Sequence, residues 1–141
     1  MSWLKKKSVL VPIDFSELSY NAISPAREYV EVETALTLIH VLTPLHPADP
    51  AAMWNTLDDE QRTQKVKEFL AQKLGEMGYK EVKIEVAIGD PSTEIIDCAK
   101  ETDADLIVMP SHGRKGVSRF LLGSVAERVV RLSPCPVLIL K

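Results

Sequence analysis

The chain has 141 residues, a length at which one hydrophobic core suffices, so a single domain over 1–141 is expected. Its 17 basic and 20 acidic residues leave a formal charge of −3, which excludes the broad positive field that non-specific nucleic-acid binding draws on. No apolar run reaches the ~18–20 residues of a membrane span, and Cys98 and Cys135 lack metal-ligand spacing, reading as small apolar residues of a reducing, cytoplasmic compartment.

The basic start Lys5-Lys6-Lys7 precedes only Val9 to Ile13 as an apolar run, short of the ~7–15 residues of a secretory signal. That run, Val9-Leu10-Val11-Pro12-Ile13, is the pattern of a strand buried on both faces of a parallel sheet. Pro12 donates no hydrogen bond and is compatible with a central strand only at its C-terminal end. Ser16 is placed to cap a helix with Glu17 in its first turn, and Leu18, Ala22, Ala26 and Tyr29 recur at helical spacing. Pro25 lies inside this helix and predicts a kink. Leu36 to Val41 is a second strand, and Thr43 to Asn55, carrying Pro44, Pro47 and Pro50 without a period, reads as a loop or lid.

Val66, Phe69, Leu70, Leu74 and Met77 then mark one face of a long helix that Gly78 can end as a left-handed cap. Val82, Ile84, Val86 and Ile88 alternate with Lys83, Glu85 and Ala87, predicting a strand near a sheet edge. Asp90 and Pro91 open the next helix, with Ile95, Ile96 and Ala99 on its apolar face, and Leu106 to Met109 is the fourth strand. Ser124 and Glu127 have the spacing of a capping box, Ala126, Val129, Val130 and Leu132 form the last apolar helix face, and Ser133-Pro134 stops it. Pro136 to Leu140 is the final strand.

Five strands alternating with four helices predict an α/β fold, a doubly wound five-stranded parallel sheet with helices on both faces. Ligands of such sheets collect outside the carboxyl ends of the strands, where the strand order reverses. Asp14, Val41, Gly89 and the loop from Pro110 all follow strand ends and are expected on one rim. The stretch Pro110 to Ser124 supplies small residues, backbone amides and cations where a phosphate can sit. It is not the Gly-x-x-x-x-Gly-Lys-Ser/Thr of an NTPase loop, and Asp14-Phe15-Ser16 is not the Gly-x-Gly-x-x-Gly of a dinucleotide site. A phospho-acceptor receiver would carry paired acids after the first strand, where Asp14 stands alone.

Four pieces together resemble the universal stress protein family over essentially the full length. They are Val11-Pro12-Ile13-Asp14-Phe15-Ser16, His40-Val41, Gly89-Asp90-Pro91, and the loop ending Leu121-Leu122-Gly123-Ser124-Val125-Ala126-Glu127-Arg128-Val129. The resemblance implies a Rossmann-like, adenine nucleotide alpha hydrolase-like fold, an adenine nucleotide (ATP, ADP, AMP or cAMP, with Mg²⁺ as a possible companion), and a homodimer through Val137 to Leu140. An apolar edge strand that invites pairing agrees with that dimer. The family's nucleotide-binding branch carries Gly, two residues, Gly, nine residues, then Gly with Ser or Thr. Gly113, Gly123 and Ser124 match, whereas Pro110 replaces the first Gly, fixing φ and removing an N–H. Ser111, Gly113 and Gly123 keep their amides.

By the same resemblance Asp14 accepts hydrogen bonds from adenine or ribose, or holds Mg²⁺ through water, unless it is simply a turn residue. Pro12 and Val41 line the adenine pocket, with Gly89 on the same rim and Met109 beside it; each apolar one is equally an ordinary core residue. Gly113 and Gly123 serve as phosphate-approach or as turn glycines, and Ser124 and Val125 open a helix whose amides can meet phosphate. Arg114, Lys115 and Arg119 neutralise a polyphosphate or only solvate a surface. His112 can reach a phosphate, but no nucleophile with an orienting acid stands beside it, and His40 reads as a strand histidine with its ring hydrogen-bonded. The expected function is a dimeric stress-signalling protein that binds an adenine nucleotide. The alternatives are a non-binding interaction module and, less favoured, a slow ATPase.

Overall fold

The computed structural model describes residues 5–44, 48, 58–111 and 122–141. The sequence readings on most of the 43–55 lid and on His112, Gly113, Arg114, Lys115 and Arg119 lie outside the described residues. In chain order the elements are β1 (Val9–Pro12), α1 (Glu17–Asn21), α2 (Ile23–Glu28), a 3₁₀ turn (Glu33–Ala35), β2 (Leu36–Leu42), α3 (Asp59–Glu76), β3 (Lys83–Ile88), α4 (Pro91–Glu101), β4 (Leu106–Pro110), α5 (Ser124–Leu132) and β5 (Val137–Leu140). All strand pairs are parallel, in the order β3-β2-β1-β4-β5. The order reverses between β1 and β4, which therefore flank the switch point.

Two apolar layers follow from the period of two along each strand. Val9, Val11, Leu36, Leu38, Leu106 and Val108 face Ile23 and Ala26 of α2 and Leu70 and Leu74 of α3. Leu10, Ile39, Ile107 and Met109 face Ile95 and Ala99 of α4 and Ala126 and Val129 of α5. Leu10, Leu38 and Ile107 are completely buried, each contributing about 1.5–3 kcal/mol relative to exposure. β3 stands at an edge, as its sequence predicts, and alternates exposed and half-buried residues from Lys83 to Val86, whereas Ala87 is half-buried like its neighbours.

The Pro25 kink is realised as a break. α1 ends and α2 begins around Ala22, because the proline withholds an amide from Asn21 and its ring crowds that carbonyl. Gly78 takes φ +90°, with its N–H on Gly75 O at 3.1 Å and the Tyr79 N–H on Leu74 O at 2.8 Å, the paired bonds of a Schellman end. The capping box at Ser124 is not formed. Gly123 is the cap residue, Ser124 is the first helical residue, and the Glu127 carboxylate bonds Arg131 at 2.8 Å instead of reaching back. With Gly123 as cap, the Glu127 N–H closes the first turn on Gly123 O at 2.8 Å, and the Gly123 N–H is held by Ser111 O at 2.7 Å. Among the described residues no helix is long and apolar enough to cross a membrane.

Candidate functional site

At the switch point β1 and β4 are tied at the start of the strands, and their ladder stops before the carboxyl end. At the start of the strands Asp105 ties β1 to β4: its carboxylate accepts from the Lys7 and Ser8 amides at 2.9 and 3.1 Å, and its own N–H donates to Ser8 O at 2.9 Å. At the carboxyl end the β1–β4 register is Val9↔Leu106 and Leu10↔Ile107, and there it stops. β1 stays paired with β2 as far as Pro12↔Ile39, and β4 with β5 as far as Pro110↔Leu140.

Two prolines account for this. The Ile13 N–H donates to Ile39 O of β2 at 2.8 Å, so the alternate residues Leu10 and Pro12 turn their backbone edges toward β4. The Ser111 N–H donates to Leu140 O of β5 at 2.9 Å, so Val108 and Pro110 turn theirs toward β1. The next two donors required on the facing edges thus belong to Pro12 and Pro110, which have none. The ladder ends there, between Ile13–Asp14 and Pro110–Ser111, at the place where the crevice of a switch point is expected.

Asp14 leaves β1 at this place. Its Oδ1 accepts from the Ser16 N–H at 3.0 Å and from the Ser16 hydroxyl, and its N–H donates to Ser19 Oγ at 3.3 Å. Ser16 in turn caps α1 through its hydroxyl, which accepts from the Ser19 N–H at 3.1 Å. Phe15, between them, has φ +68°, a left-handed conformation that costs an L-residue about 1–2 kcal/mol. Aromatic packing offsets it: the Phe15 ring lies 4.2 Å from the His40 ring and 5.5 Å, edge to face, from Phe69.

His40 is only 8% exposed and its Nδ1 donates to Ile13 O at 2.6 Å, bearing out the expected ring hydrogen bond. Burial pushes its pKa below the ordinary 6.5, while the Ile13 carbonyl and the Asp14 charge pull it partly back. The unfolded chain therefore takes up this proton before the folded protein does. His40 stabilisation is complete above about pH 6.5 and declines as pH falls from there toward the lower folded value. Asp90, held low chiefly by the Ser92 hydroxyl and then by Thr93, acts in a separate window below 3.8. The urea midpoint is expected to drop between pH 7 and pH 5, and the drop to shrink in His40→Asn; equal slopes would contradict the assignment.

Val41 and Met109 lie on the α4–α5 side of the sheet, where Val125 of α5 packs against the same cluster. Met109 is buried and Val41 half-buried, so Val41 keeps a surface to offer. Gly89 ends β3 at φ +154° with its N–H on Leu42 O at 2.9 Å; a Cβ there would meet Glu94 Oε1 at 2.7 Å. Its glycine is thus required by the turn itself. The expected spare amides are also revised: the Ser111 N–H donates to Leu140 O and the Gly123 N–H to Ser111 O. The first-turn amides of α5, from Ser124, Val125 and Ala126, are the donors at this end of the sheet, on the positive end of the helix dipole. Arg128 of α5 meets Asp90 at the start of α4 at 3.5 Å, an exposed pair of little energetic weight. A cavity of about 300 Å³ lined by Lys7, Thr37, Lys83 and Glu85 lies at the opposite end of the strands and has no part in this rim.

The profile of the universal stress protein family matches residues 6–141. Universal stress protein MJ0531 of Methanocaldococcus jannaschii is 33% identical over 141 aligned residues, covering 96% of this chain and 82% of its own. The solved structure of MJ0577 from the same organism, 29% identical, superposes with a TM-score of 0.76 over 96% of this chain and 95% of its own. Two more distant structures share the fold: a universal stress protein in complex with cAMP, at 22% identity and a TM-score of 0.63 over 97% of this chain and 98% of its own, and an Arabidopsis thaliana family protein with AMP bound, at 23% and 0.58 over 96% and 91%.

Proposed function

The chain belongs to the universal stress protein family, and from that premise we propose that it binds an adenine nucleotide in the crevice between β1 and β4 and acts as a dimeric stress-signalling module of the cytoplasm. One observation carries the reading: at the switch point of the sheet the ladder between the two central strands stops, and it stops where the next two facing positions are prolines without an N–H.

The residues around that crevice suit the parts of such a ligand. Val41 offers an apolar surface for a base, with the buried Pro12 and Met109 at the same strand ends. The Asp14 carboxylate is an acceptor for ribose hydroxyls or the adenine amino group, and the place where a magnesium ion would be held through water. Phosphate charge is met by the first turn of α5, Ser124 and Val125 included, where amides and dipole act together. His112, Gly113 and Arg114 complete the site in this proposal from the loop between Ser111 and Gly123. Relatives of the same fold in complex with cAMP and with AMP bound support the ligand class.

Apart from Asp14 and His112 this proposal names no group that activates water, so the bound nucleotide serves as a signal and any turnover is slow. Dimerisation is assigned to β5, whose residues Val137 to Leu140 are all half-exposed at the sheet edge. Titration calorimetry of the purified chain with AMP and with Mg-ATP tests the proposal, together with chromatography of nucleotide released on denaturation. Saturable heat for at least one of them is expected. No heat and no released nucleotide would overturn it in favour of an interaction module without nucleotide.

A further inference from the structure

The apolar run of β2, Leu36-Thr37-Leu38-Ile39-His40-Val41-Leu42, is interrupted by a histidine that the nucleotide reading does not use. The ladder explains its place. β1 and β2 pair through Pro12↔Ile39, and one step further the Val41 amide would be the donor to Ile13 O. Pairing ends before that step, and the His40 imidazole takes the carbonyl, Nδ1 to O at 2.6 Å. A side chain replaces the ladder at the residue where β1 must turn away from β2.

The same ring backs Phe15 at 4.2 Å, with Phe69 edge-on at 5.5 Å from Phe15. Asp14 therefore stands between two residues that His40 holds: Ile13 by its carbonyl and Phe15 by its ring. The left-handed φ of Phe15, +68°, is the turn that separates the direction of Asp14 from the direction of α1. A carbonyl only accepts, so the proton sits on Nδ1 in the neutral ring.

We infer that His40 is a positioning residue for Asp14: by holding the Ile13 carbonyl and backing the Phe15 ring it fixes where the Asp14 carboxylate stands at the end of β1. The functional part of this inference rests on the nucleotide-binding reading; the geometric part does not.

Nitrogen-15 NMR of the wild-type ring at pH 7.5 is the first test. A protonated Nδ1 and a bare Nε2 are expected, and the opposite tautomer would overturn the inference without any variant. The second test separates the two contacts. His40→Phe keeps a ring and removes the donor, whereas His40→Asn keeps a donor near the Nδ1 position and removes the ring. His40→Phe is expected to displace the amide signals of Asp14 and Ser16 and to weaken AMP about fivefold, the worth of one net hydrogen bond. His40→Asn is expected to recover part of both, because the donor returns without the ring. Wild-type affinity in His40→Phe, or no recovery in His40→Asn, would sink the inference. If the wild-type chain binds neither AMP nor Mg-ATP, the nucleotide reading fails by itself, and unmoved Asp14 and Ser16 signals in His40→Phe would then dismiss the positioning role as well.

Discussion

Asp14→Ala is expected to weaken adenine-nucleotide binding by about 10–100-fold, because a hydrogen bond to a charged acceptor contributes about 1.5–3 kcal/mol and each 1.4 kcal/mol is tenfold. The same substitution removes the acceptor of the Ser16 N–H and hydroxyl, and Ser16 caps α1. A stability loss of about 1 kcal/mol should accompany it. Asp14→Asn separates the two roles. Its amide oxygen still accepts from Ser16, so stability should stay near that of the wild type, while the loss of charge should still weaken the nucleotide. Calorimetric titration with AMP, paired with urea unfolding of each variant, gives both numbers. If Asp14→Asn binds as tightly as the wild type, the carboxylate charge is not part of the site and Asp14 is a turn residue only.

Pro110→Gly is expected to act in the opposite direction, tightening binding about tenfold while lowering stability by about 0.4–1 kcal/mol through the freer unfolded chain. The geometry gives this experiment two distinct outcomes. Pro110 turns its backbone edge toward β1 across the crevice, so a glycine there restores an N–H aimed into the gap. If that N–H meets the ligand, affinity rises. If it meets the Pro12 carbonyl instead, β1 and β4 pair one step further, the crevice narrows and affinity falls. An unchanged or weaker dissociation constant for AMP would refute the assignment of Pro110 as the residue that limits affinity.

Much of the fold was legible from local pattern. The β-branched apolar runs of β1 and β4, the alternation of β3, the 3–4 spacing along α3 and the Gly78 stop each depend on near neighbours, and each appears where the pattern places it. The candidate site was legible only as a set of strand ends. Asp14, Val41 and Gly89 follow strands and therefore share a rim once the sheet is parallel. Helix ends were less secure, because Ser124 has the right spacing to Glu127 for a capping box, yet the chain starts α5 from Gly123. The contact at that cap, Gly123 N–H to Ser111 O, spans the whole loop, and no spacing rule reports it.

The sequence by itself determined the element order, the two-sided burial of the sheet and the family, since these follow from periodicity, from turn chemistry at Pro25, Gly78 and Pro91, and from motifs local to one strand end. Tertiary structure alone decided which strands adjoin at the switch point, that Pro12 and Pro110 turn toward one gap, and that His40 answers the Ile13 carbonyl. The physical reason is range. Periodicity records which face of a strand is buried, whereas the direction of a backbone N–H across a sheet depends on register with a strand almost 100 residues away, as between Leu10 and Ile107.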